Sequence, residues 1–194
     1  MLRRCAVVSF LSLLAIALLG ALVGCRLRSE ADAIEREPGA PTPAVIGPTE
    51  GERRFLRGGT TPLLIKVDPV TTGSRRLVLA ASDLPPGDAI GVHRHLREDE
   101  IIVVTRGTAR VQLGTREYTA GTGTTVFIPQ GTCIALANAG RDTFSMVFVF
   151  SSPGFERVLR ELSSSKDEPP KLLSPEKRAA AFQRGHAEAG ASDC

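Results

Sequence analysis

Residues Gly87 to Gly107 read GDAIGVHRHLREDEIIVVTRG. His93 and His95, two of the chain's three histidines, stand two residues apart in this β-like run. In a strand, positions i and i+2 share a face, so both imidazoles point one way while Val92 and Arg94 point the other. The acids Glu98, Asp99 and Glu100 follow at once in the bend LREDE. Imidazoles on one face with a carboxylate nearby are the donor types that bind a divalent metal. Without a metal, the same groups would line a pocket of perturbed protonation suited to a small polar ligand. The third histidine, His186, has no acid or cysteine spaced with it and reads as an exposed surface residue.

Short strand-like runs position these residues. PLLIKV, RRLVLAAS, AIGVHRH, EIIVVTRG, ARVQLG, REYTA, TTVFIP, CIALAN and TFSMVFVFS succeed one another, parted by Gly, Pro, Asp and Asn in turn positions. Many short strands at even spacing predict an antiparallel sandwich or barrel. Two helices are expected after them. SPGFERVLREL has Ser152 as a cap and Phe155, Val158, Leu159 and Leu162 on one stripe. SPEKRAAAFQRGHAEAG opens with Ser174 as cap and Pro175 at the first helical position.

The N-terminus predicts export. MLRR is a basic start, AVVSFLSLLAIALLGA an apolar run, and LVGC ends the segment at Cys25. The LVGC ending resembles the lipobox of bacterial lipoprotein signals, which implies that Cys25 becomes the lipidated first residue of the mature chain. The other reading is an uncleaved span from Ala6 to Gly24. Either places the domain outside the cytoplasm, on the periplasmic side or at the outer membrane, with a membrane as partner. Arg26, where retention signals often carry an aspartate, favours the outer membrane. The expected organisation is a signal peptide over 1–24, a Pro- and Glu-rich flexible spacer over 25–51, a barrel domain over 52–162, and a polar connector with a helix over 163–194.

Composition narrows the function. Lys and Arg total 24 against 21 acids; removing Arg3 and Arg4 with the signal leaves 22 against 21, a net charge of +1. That gives no electrostatic case for nucleic acid. With eight Phe, one Tyr and no Trp, no stacking platform is expected. GTGTT is not a phosphate loop, since no helix follows it and no Lys can reach a phosphate. The pairs Arg53-Arg54 and Arg75-Arg76 read as solvated. Cys133 has no identifiable base, so no cysteine nucleophile is expected, and Cys133 with Cys194 at the end of a polar tail makes no disulfide framework.

Taken whole, Gly87-x5-His93-x-His95-x4-Glu100-x6-Gly107 resembles the first signature motif of the cupin family. Gly123-x5-Pro129-x-Gly131, with Asn138 closing the segment, resembles the second, fifteen residues on. The resemblance covers roughly Pro62 to Leu162, and the tail SSPGFERVLREL is similar to the segment after the barrel in quercetin-dioxygenase-like cupins. It implies an all-β fold, a small antiparallel β-barrel of the cupin or jelly-roll kind with C-terminal helices. It implies His93, His95 and Glu100 as ligands of Fe, Mn, Ni or Zn. Glu98 and Asp99 read as solvated bend residues, and as alternative carboxylates only where the turn is offset. The resemblance also allows a homodimer.

One position departs. Where the second motif carries a metal-binding histidine, this chain has Ile134, and the adjacent Cys133 faces the other side of a strand and reads as core packing. The expected pocket is lined by His93, His95, Glu100 and apolar side chains including Ile134, and takes a small organic molecule. Two functions follow. One is a metal-dependent, dioxygenase-like enzyme in which Glu100 doubles as a base when it detaches. The other is a non-catalytic small-ligand binding module that has lost its metal site.

Overall fold

Alternation of apolar and polar residues carries the chain through one strand after another from Glu52 to Phe150. In the computed structural model, which describes residues 40–190 and 193–194, these are β1 (Glu52–Leu56), β2 (Thr61–Val67), β3 (Val78–Leu84), β4 (Ala89–His95), β5 (Glu100–Arg106) and β6 (Thr108–Leu113). Then come β7 (Arg116–Gly121), β8 (Thr125–Ile128), β9 (Ile134–Asn138) and β10 (Phe144–Phe150). Helices α1 (Phe155–Leu162) and α2 (Pro175–Arg184) follow, and a short β11 (Ala187–Ala189) ends the order. The predicted signal, Cys25 and most of the predicted spacer lie outside the described residues. Among the described residues no helix is long and apolar enough to cross a membrane.

The strands form two antiparallel sheets, β1-β2-β3-β10-β5-β8 and β11-β4-β9-β6-β7. Period-2 burial shows which face each turns inward. β10 buries Phe144, Met146, Phe148 and Phe150, and β5 buries Glu100, Ile102 and Val104. From the second sheet, β9 sends in Ile134, Leu136 and Asn138, and β4 sends in His93 and His95. Asn138 is held because its side-chain amide donates to the carbonyls of Leu84 and Asp142, each at 2.8 Å. Gly107 connects β5 to β6 at φ 78°, where a Cβ would come within 2.9 Å of the Thr143 carbonyl oxygen; only glycine fits that turn.

β1 and β11 are absent from the sequence-based expectation. β1, ERRFL, pairs with β2 along its whole length. Its other edge meets the chain after α1, where Phe55 and Ser164 exchange backbone bonds of 2.9 and 3.0 Å. Arg54, expected to be solvated, is largely buried. Its guanidinium donates to Ser163 Oγ at 2.6 Å and to the carbonyls of Arg160 and Ser163 at the end of α1. Beside it, Arg160 pairs with Asp68 at 2.6 Å and also with Glu52. Burial pushes the Asp68 carboxyl up, but the bonds it accepts from Thr71 and Arg160 outweigh this and hold it below the ordinary value.

Both helices exist, with one change of boundary. Ser174 caps α2 by accepting from the Lys177 amide, with Pro175 in the first position, as read from the sequence. Ser152 does not cap α1: the N-cap is Gly154, and the buried Glu156 carboxylate accepts the Gly154 amide hydrogen. Past α2 the chain returns as β11 alongside β4, with Ala187 opposite His95 and Ala189 opposite His93. The tail continues to Cys194, which is disulfide-bonded to Cys133. Cys133 is therefore buried as half of a cross-link, not as a free core thiol. All of this packs within one unit, Pro41–Cys194, which carries its own continuous hydrophobic core.

Candidate metal centre

β4 and β5 meet across the LREDE bend, and the two sheets close over what they carry. His93 and His95 project from the end of β4, and Glu100 from the first residue of β5. All three are buried, and one ligand atom from each lies within 4.8 Å of the others. His95 Nε2 lies 3.4 Å from Glu100 Oε2.

The hydrogen bonding leaves donors free. His93 Nδ1 lies 2.9 Å from the Gly91 carbonyl oxygen. A carbonyl only accepts, so Nδ1 carries the proton and Nε2 keeps its lone pair, the arrangement that orients a metal-bound imidazole. Both ring nitrogens of His95 and Oε2 of Glu100 are buried without a hydrogen-bond partner. Buried polar atoms are costly when orphaned, and a cation at the centre of the three would satisfy them. Burial, followed by repulsion from His95, lowers the His93 pKa and keeps the ring in the neutral form a metal requires. The residues present fit a divalent metal.

Two expectations about the residues around the donors change. Glu98 is not a solvated bend residue: it is 1% exposed, Oε2 has no partner, and burial raises its pKa. It turns inward because Gly154, lacking a side chain, lets it approach; a Cβ there would sit 2.6 Å from Glu98 Oε1. Asp99 does lie at the surface of the bend and holds it, with Oδ1 accepting from the Gln130 amide at 2.9 Å. Ile134 is fully buried and directly opposite His93 on β9, yet it stands off the cavity wall, to which β9 contributes Leu136.

Few aromatics did not mean no aromatic platform. Phe148, Phe150, Phe155 and Phe182, four of the eight phenylalanines, cluster at the site. Phe155 from α1 meets His95 edge to face at a centroid distance of 4.3 Å and stacks on His93 at 6.3 Å. Phe182 from α2 reaches His93 at 5.9 Å. The sequence signal for Phe155 was its place on the α1 stripe, which said that it is buried but not against what. His186 is exposed, as expected from its spacing.

The donors open into a cavity of about 400 Å³ between the sheets, within the size range of small-molecule sites. Its walls are mainly Leu, Ile, Met and Phe side chains, and α1 and α2 contribute to them.

Residues 81–150 match the cupin domain family. This stretch of the chain is similar to a cupin domain. The match spans β4 to β10 and most of β3, and so includes His93, His95 and Glu100. Solved structures agree on the fold. KdgF from a Halomonas species superposes with a TM-score of 0.50 at 17% identity, over 58% of this chain and 96% of its own. A predicted oxalate decarboxylase from Thermotoga maritima gives 0.50 at 18% identity, over 57% and 100%. An RmlC-like cupin from Shewanella frigidimarina gives 0.50 at 15% identity, over 58% and 94%. No curated protein matches the sequence significantly.

Proposed function

We propose that this cupin is an envelope lipoprotein whose barrel binds a divalent metal through His93, His95 and Glu100 and acts on a small organic molecule in a dioxygenase-like manner. The observation that carries the metal assignment is the convergence of three buried donors, with His95 and Glu100 left without protein partners and the His93 tautomer fixed by the Gly91 carbonyl. Bound there, a divalent ion supplies Lewis acidity and open coordination positions. The chain's own residues do the rest. His93 holds its proton on Nδ1 and offers Nε2, the apolar walls exclude water, and Phe155 and Phe182 fix the imidazole planes. Glu100 has a carboxylate free to accept a proton when it is not ligating.

The location outside the cytoplasm rests on the basic-apolar N-terminus ending in LVGC, and lipid on Cys25 would be its anchor. The Cys133–Cys194 disulfide supports it, because such bonds persist in oxidising compartments. A second reading is favoured by Ile134: with no fourth imidazole, the domain is a non-catalytic small-ligand module. Metal analysis by mass spectrometry separates the two. Near-stoichiometric metal that disappears in His93→Ala/His95→Ala supports the first reading. No metal in either protein after reconstitution with Fe, Mn, Ni and Zn leaves the second.

A further inference from the structure

The cavity has two chemically different ends. At one end are His93, His95 and Glu100, and Glu100 is the one acid among the residues that line the cavity. At the other are three cations, Arg57, Lys171 and Arg178.

Their positions in the fold set the separation. The Arg57 guanidinium donates to the carbonyl of Ala89, the first residue of β4. His93 is four residues further along that strand, about 13 Å at the ordinary rise. Arg178 sits in the first turn of α2, and Phe182, one turn further on, is the residue that touches His93. Arg178 and Phe182 share a helix face about 6 Å apart along the axis, which puts the guanidinium one turn outward from the metal end. Arg178 has no ion pair among the described residues. Lys171 has only a partly exposed contact of 3.6 Å to Glu168. Between the two ends the walls are mostly apolar, with Leu56, Ile90, Leu162, Phe148 and Phe150 among them and the hydroxyls of Thr61 and Ser82 the polar side chains.

We infer that the cavity binds an apolar monocarboxylic acid, with its carboxylate between Arg57, Arg178 and Lys171 at the mouth and its hydrocarbon body running inward toward His93. Three cations facing one deeply buried acid favour an anionic head, and guanidinium groups match a carboxylate in geometry as well as charge. The hydroxyl side chains on the cavity wall, Thr61 and Ser82, already donate to Asp88 and to the Pro62 carbonyl, so a sugar or a short diacid would leave most of its polar groups unsatisfied there. The inference names the ligand class of the site proposed above and rests on that reading for what happens at the inner end. The head-group contacts themselves do not involve the metal ligands.

The test is isothermal titration of decanoate, and of decanol as its neutral counterpart, into metal-stripped Pro41–Cys194. Decanoate is expected to bind roughly tenfold or more tightly than decanol, about the value of one charge-assisted contact. Its affinity should fall about tenfold in Arg57→Gln/Arg178→Gln and by less in Arg178→Gln alone. Decanol binding, unchanged in both variants, shows that the cavity is intact. Equal affinity for the two probes, or decanoate binding that the double variant leaves untouched, overturns the inference. So does decanoate binding that appears only after metal loading and ignores the arginines, since that places the carboxylate at the metal. Metal content of the same samples keeps the two readings apart. Decanoate binding by a chain that takes no metal sustains this inference and removes the metal assignment, while metal uptake without decanoate binding does the reverse.

Discussion

His93 and Ile134 face each other across the β4–β9 pair, so their side chains leave the same face of the second sheet. The departure from the second cupin motif therefore falls beside a candidate ligand. An isoleucine there contributes apolar contact and no lone pair, which leaves three donors from one bend, all on β4 and β5. A centre so built has ligands on one side only and open positions on the other.

Replacing Ile134 by His tests that relationship. The new imidazole would emerge next to His93 and complete a four-donor set. Metal affinity is expected to rise by at least about tenfold, the order by which even an outer-sphere partner changes it. The metal-free protein should lose stability, since Ile134 is fully buried and an unpaired imidazole in its place costs about 1–3 kcal/mol. Competition with a chromogenic chelator reads the first effect and thermal melting the second. Unchanged affinity would mean that position 134 cannot reach the donors, as its place off the cavity wall allows.

Much of this was legible in the sequence, for identifiable reasons. Most strands from β2 to β10 alternate because one face is core, although β7 buries only Ala120, and glycines such as Gly107 mark turns that other residues cannot make. His93, His95 and Glu100 are close in sequence, joined by one bend, so spacing alone brought them together. What was not legible depends on distant parts of the chain. Arg54 looks like a surface charge until the end of α1, more than 100 residues on, supplies its acceptors. Glu98 looks solvated until Gly154 makes room for it. The cationic mouth joins a turn before β2, the connector and α2, which no local pattern links.

The disulfide gives a second prediction. It joins residues 61 apart and pins the tail beyond β11, the strand paired with the histidine-bearing β4. Closing a loop of that length is worth up to about 4 kcal/mol in the chain-entropy account, commonly less. Reduction, or Cys133→Ser/Cys194→Ser, should lower stability by about 2–4 kcal/mol. Denaturant titration with and without reductant measures it. Limited proteolysis should then cut first near the C-terminus. If reduction leaves both unchanged, the bond does not hold the tail.

Acid should weaken the junction between β1, β2 and α1. Asp68 is fully buried, accepts the Val70 and Thr71 amides at 2.9 and 2.7 Å, and pairs with Arg160. Its pKa is lowered in the folded state. A carboxylate depressed by folding adds stability that is complete above its unfolded value, about 3.9, and is lost as pH falls through the lower folded value. Asp68→Asn should cost about 1.5–3 kcal/mol at pH 7. The gap between wild type and variant should close as pH drops below about 4. Guanidinium unfolding at a series of pH values checks this, and a gap that stays constant with pH would show that the charge of Asp68 is not what stabilises the junction.

Gly185, which ends α2, tests whether the helices hold the roof of the site. Its amide donates to the carbonyls of Ala181 and Phe182, and a Cβ added there would collide with Val158 Cγ2 on α1. Val158 is 1% exposed and branched at Cβ, so it has no free rotamer to retreat into. Gly185→Ala should therefore push α1 and α2 apart at a cost of about 1–3 kcal/mol, the ordinary range for overpacking. This runs against the usual stabilisation when alanine replaces glycine at an unstrained site. The same displacement would move Phe155 and Phe182 away from His93, so amide hydrogen exchange in α1 and α2 should rise together with the loss of stability. Gly185→Ala with an unchanged melting temperature would mean that the two helices slide past each other freely, and that Phe155 is held over the histidines by the aromatic cluster alone.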